Sequence, residues 1–202
     1  MPWQWLPIDS ANPASALEPW SSFANAKRLI DSGNSSAAIR TLKSVIDTPN
    51  QESRIYLQAW HFLRELGIDP APAQAKNLLG VVVEVAMPKG LDMLAAWPDH
   101  HARYYNFSGA AVIWERPKDS LDKAIDDLLA AGLPVLRSIG PWKGKRPAAP
   151  MQPNTVRINL LAPAGLCYGE GPMNVLSRDA MAGPVIASAT RLMMALMALT
   201  KK

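Results

Sequence analysis

The chain of 202 residues is short of the groups that most often carry chemistry. A single cysteine, Cys167, excludes a disulfide scaffold and a structural zinc site built on thiolates. Of three histidines two are adjacent, so His100-His101 is the one place where metal ligands cluster. Charged residues make up only 19% and hydrophobic ones 49%, which excludes a disordered polyelectrolyte and fits a globular protein. Residues 1–7 hold no Lys or Arg and no long apolar run, unlike a secretory signal. The most apolar stretch, residues 180–200, is interrupted by Arg191, and an Arg at a bilayer centre costs roughly 2.5–3.5 kcal/mol. A buried C-terminal helix in a cytoplasmic protein, with no membrane partner, is the expectation. Acidic residues are absent from 129–168, although Arg137, Lys143, Lys145, Arg146 and Arg157 fall there. The first part to Leu79 is balanced, so the net charge of +4 arises beyond it.

What is present has a clear order. Residues 1–21 carry Trp3, Trp5 and Trp20 among prolines and predict an extended arm with its indoles packed on the body. Phe23, Ala26, Leu29 and Ile30 form one helical stripe, broken at residues 31–34. Ala38, Ile39, Leu42, Val45 and Ile46 form a second, and Ile55, Tyr56, Ala59, Trp60, Leu63 and Leu66 a third. A short fourth helix is expected after Pro72, carrying Ala75, Leu78 and Leu79. At Gly80 the period changes from 3.6 to 2. Runs at 81–85, 91–97, 101–107 and 110–115, separated by turn residues, predict an antiparallel meander. A helix from about Ser120 to Ala131 follows, with Gly132 as its stop. Short strands are expected at 134–139, 166–168 and 173–176, with a firmer one where Val156, Ile158 and Leu160 alternate with Arg157, Asn159 and Leu161. A last helix begins near Pro184, with an apolar surface wide enough to be sandwiched between two layers. The fold class is therefore α+β: a helical hairpin module at 22–79, then an antiparallel sheet with helices on one face at 80–202.

Leu29, Gly33, Ala38-Ile39, Leu42, Val45 and Pro49 resemble the tetratricopeptide repeat, a helical hairpin that stacks into superhelical arrays. The resemblance spans residues 22–50, with a degenerate second hairpin to about 79. Ser22, Asn25 and Ala26 depart from the family's preferred Trp, Leu and Gly, and Pro49 comes one residue early. It implies a protein-binding module whose groove lies around Arg40 and Lys43. One or two hairpins are too few for a free-standing array.

Few residues point to catalysis. Gly140-x3-Gly144-Lys145-Arg146 is one residue short of a phosphate loop, lacks the Ser or Thr that holds magnesium, and runs into prolines. Gly165, Gly169 and Gly171 read as hairpin glycines. Asp99, His100 and His101 at a turn could serve a hydrolase- or transferase-like site together with Glu115 or Cys167, provided they converge. Adjacent strand residues point apart, exposed turn histidines are common, and Cys167 between Leu166 and Tyr168 reads as a buried thiol. Glu84 and Glu115 read as cross-strand partners of Arg103 or Arg116. No cofactor and no metal is implied.

The favoured expectation is a non-catalytic interaction or adaptor protein. Its surface would combine Arg40 and Lys43 with the Pro-rich basic loop of Trp142, Lys143, Lys145 and Arg146, whose charges stay solvated for a partner with an acidic surface. The enzyme around Asp99, His100 and His101 is the alternative. Weak nucleic-acid binding through the same loop, with Tyr104 and Tyr105 as stacking residues, comes third.

Overall fold

The structure is a computed structural model that describes residues 17–199. The expected packing of Trp3 and Trp5 lies outside the described residues. Two compact units divide the chain, one up to Ala71 and the other from Pro72 onward.

The first unit is helical, with α1 (Trp20–Asp31), α2 (Ser35–Asp47) and α3 (Ser53–Glu65). The three predicted stripes supply most of its core, Phe23 and Ala26, then Leu42 and Val45, then Ile55, Ala59, Trp60 and Leu63, and Phe62, which lay outside the third stripe, joins them fully buried. Phe23 meets Phe62 edge-on at 5.9 Å between ring centres, and Trp20 opens α1 against Phe23 instead of ending an arm. Gly33 takes a φ of 77° in the α1–α2 turn, a region closed to most side chains. Asn34 then caps α2 by accepting a hydrogen bond from the Ala37 amide at 3.2 Å.

The second unit is a six-stranded antiparallel sheet in the order β4-β3-β2-β1-β5-β6. Its strands are β1 (Gly80–Met87), β2 (Gly90–Ala96), β3 (Ala102–Tyr105), β4 (Ala111–Trp114), β5 (Thr155–Ala162) and β6 (Gly165–Pro172). Alternation sends Val81 and Val83 of β1, Leu94 of β2, Tyr104 of β3 and Ile158 and Leu160 of β5 to one face. Two long helices cover that face, α5 (Asp122–Ser138) through Ile125, Leu128 and Leu136, and α7 (Ala182–Leu199) through Val185, Leu192 and Leu196. The α+β class and the helices on one face are as expected. α7 has the length and apolar character of a membrane span, yet its Val185, Leu192 and Leu196 are fully buried in this core. Within this unit Met194 and Met197 of the helix are turned away from the core.

Several local expectations fail for physical reasons. Residues 134–138 are the end of α5 and Ile139 is its C-cap, so no strand forms there. Pro134 and Ala130 both face solvent, so water can take the carbonyl that the proline leaves without a donor. Gly132 does not end the helix but lets it approach the sheet, since an added Cβ would lie 3.0 Å from Val81 Cγ2 and 3.1 Å from Leu160 Cδ2. Met173–Leu176 is a helical turn, α6, and Gly169 and Gly171 lie inside β6. The helix after Pro72 is a single turn, α4 (Pro72–Ala75); Leu78 instead packs on the sheet core and the Leu79 amide donates to Leu161 O at 2.8 Å.

Candidate functional site

The two histidines do not stand at a free hairpin tip. The β2–β3 turn closes with the His100 amide donating to Trp97 O, and His100 takes a left-handed φ of 61°. Its ring leans on the start of α5, with Nε2 3.1 Å from Asp126 Oδ1 and Nδ1 3.8 Å from Asp122 Oδ2. His101 turns the other way, with Nδ1 3.5 Å from Asp99 and 3.8 Å from Glu115. The expected group thus comes together only in part. Cys167 sits on β6, four strand spacings from β3, or ~19 Å at about 4.8 Å each. It is buried among the apolar residues of the core, and that burial raises its thiol pKa, the opposite of nucleophile activation. Among the described residues no three His, Cys, Asp or Glu side chains form a metal-holding group.

The opposite face of the sheet holds a built feature that no motif announced. Cross-strand register lines up Glu84 of β1, Arg157 of β5 and Glu170 of β6 in one row, with Val82, Asn159 and Tyr168 in the next. Arg157 is 3% exposed and Glu84 4%. The Arg157 guanidinium donates to Glu170 Oε2 through Nε at 2.6 Å, and its Nη1 lies 3.7 Å from Glu84. Asn159 Nδ2 donates to the other side of this row, to Glu84 Oε2 at 3.0 Å and Val82 O at 3.1 Å. Glu84 therefore pairs with Arg157, not with Arg103 or Arg116. Those two pair instead with Glu115 at 3.1 Å and Asp122 at 2.7 Å, so the expectation held for Glu115 with Arg103.

The basic loop from Gly140 to Pro153 is strapped down onto this row. At its start the Trp142 amide donates to Leu166 O on the edge of β6 at 2.8 Å. The Trp142 indole meets the Tyr168 ring edge-on at 5.2 Å and donates Nε1–H to Lys145 O at 3.1 Å. Gly144 makes that fold-back feasible, because a Cβ there would lie 3.0 Å from the indole nitrogen. Arg157 then holds the middle of the loop, donating to Ala148 O at 2.6 Å and Pro147 O at 3.4 Å while its guanidinium carbon sits 5.3 Å from the Tyr168 ring centre. Arg146 reaches down to Glu84 at 3.4 Å, and Pro150 is buried. The expectation that all three loop charges go without an acidic partner is therefore corrected for Arg146. A charge buried this deeply needs several donors and acceptors around it, and the strap carbonyls supply them.

What faces outward is compact. Lys143 and Lys145 are exposed, Trp142 is 50% exposed and Met151 86%. Arg40 and Lys43 are exposed on α2 in the other unit, and each surface stands by itself. The pairing was half-visible in the sequence, since alternation in β5 sends Arg157 away from the apolar face, as it does Glu84 in its valine run. Only the register shows that the two meet. Comparison with family models, with curated proteins and with solved structures returns no match, so the reading of this site rests on its chemistry.

Proposed function

We propose that this is a non-catalytic interaction protein whose strapped basic loop receives an acidic segment of another protein. One observation carries the reading: a loop without regular structure is held to the sheet by a buried Arg157 while Trp142, Lys143, Lys145 and Met151 point outward. Holding the loop in place lowers the ordering entropy that binding would otherwise cost. Trp and Met are enriched at protein interfaces, and the acid-free stretch provides long-range attraction for a negative partner. In this reading the helical unit, with its tetratricopeptide-like spacing, offers a second partner surface around Arg40 and Lys43.

The test uses two labelled probes of matched charge, an oligo-glutamate peptide and a single-stranded oligonucleotide, titrated by fluorescence anisotropy across a salt series. The peptide should bind more tightly, lose affinity as salt rises, and bind weakly to the Lys143→Ser/Lys145→Ser variant. A preference for the oligonucleotide transfers the loop to nucleic-acid recognition; equal binding by the variant removes the loop from the function.

A further inference from the structure

Independently of that loop, the helix-covered face of the sheet contains a small cleft of about 50 Å³, partly open to solvent. Val83, Val85 and Leu94 form its floor, and Ile186, Ala189 and Met193 of α7 form its wall. At its edge lie Asp92 and Tyr104. The Tyr104 hydroxyl donates to Asp92 Oδ2 at 2.8 Å, and the Phe107 amide donates to Asp92 Oδ1 at 2.8 Å. Burial and the neighbouring Asp92 push the Tyr104 phenol up to about 12, so the ring stays a neutral donor. These two bonds fix the carboxylate against the apolar cleft, and each oxygen keeps a free lone pair. Among the described residues no Lys, Arg or His forms an ion pair with Asp92. Its lining has the character of a small-molecule site, mostly apolar with few placed polar groups.

We infer that this cleft binds a small apolar cation, a primary ammonium on a short alkyl chain or aromatic ring, with its chain against Ile186 and Met193 and its ammonium on Asp92. The carboxylate selects the charge and the cleft selects the apolar body. A neutral molecule of the same shape gains only the second part, and an apolar carboxylate is repelled. Met193 and Met173, which also lines the cleft, have flexible side chains that can close around chains of differing length.

Hexylammonium, hexanol and hexanoate are three probes of one length that differ at the head. They are titrated into the full chain labelled at its methionine methyls, with methyl NMR shifts of Met173 and Met193 as readout. Hexylammonium should shift both methyls and bind about tenfold more tightly than hexanol, the scale of one charge-assisted hydrogen bond, with hexanoate weakest. In Asp92→Asn, which keeps an acceptor for Tyr104, hexylammonium and hexanol should bind alike. Hexanol or hexanoate binding the native protein as well as hexylammonium overturns the inference, as does the absence of any shift at Met193. Both of these outcomes are measured on the native chain, so they stand even where Asp92→Asn folds poorly.

Discussion

The two faces of the sheet are closed by different physics. One is covered by α5 and α7 through Ile125, Leu128, Leu136, Val185 and Leu192, an apolar layer in which shape and volume decide stability. The other is covered over β1, β5 and β6 by an irregular loop, and what lies beneath it is a row of ions, Glu84, Arg157 and Glu170. An apolar layer tolerates exchange of similar side chains, whereas a buried ion tolerates the loss of a partner poorly. The lesson is that the loop owes its position to charge placement, so the face that carries it should respond to mutation quite unlike the helical face.

Arg157→Ala should show the largest effect, about 3–5 kcal/mol in denaturant unfolding, because it leaves Glu84 buried without its cross-strand partner. The pair replacement Glu84→Met/Arg157→Met should recover much of that loss while leaving the loop unanchored. A double variant as unstable as Arg157→Ala would break the contrast, since it would make the outer face a matter of packing. On the apolar face, Leu160→Ala should cost about 2–5 kcal/mol, with no recovery available from a charge partner.

Acid sharpens the comparison from the helical side. The Arg116 guanidinium holds the Asp122 carboxyl at the start of α5 below the ordinary carboxylate range. The amides of Ala182 and Met181 do the same for Asp179 at the start of α7. A carboxylate whose folded pKa is depressed contributes its full stabilisation above the unfolded pKa of about 3.9 and loses it as pH falls through the folded value. Below pH ~4 the melting temperature should therefore fall, and it should fall less steeply in Asp179→Asn. An unchanged acid limb in that variant would free α7 from this anchor. The smallest effect belongs to Lys143→Ser/Lys145→Ser: exposed on the strap, these changes should move stability by no more than about 0.5 kcal/mol. A larger loss would mean that the lysines are part of the closure and not only displayed by it.

The same contrast explains what could be read from the sequence. Apolar periodicity is local, so the three stripes of the helical unit, the four-strand meander and the alternation of Val156, Ile158 and Leu160 all led to the correct element types. Proline and glycine misled where tertiary context overrode them, as with solvent-facing Pro134 and with Gly132 pressed against Val81. In the sequence the charges of the loop look fully solvated, because nothing acidic lies near them along the chain. Its anchors come from β1, β5 and β6, and only the register brings Glu84 and Arg157 together. The cleft beside Asp92 was invisible for the same reason, since it joins β1, β2 and β3 to residues from 173 to 193.

The central claim is that residues 140–153 form a strap built onto the sheet. Its most direct test is native-state hydrogen exchange at the Trp142 amide, which donates to Leu166 O. The account predicts slow exchange there, well below the rate of an open loop, and a return to the open-loop rate in Glu84→Met/Arg157→Met while the amides of β1 and β5 stay protected. Fast exchange at Trp142 in the unaltered protein would contradict it and make the loop a connector after all.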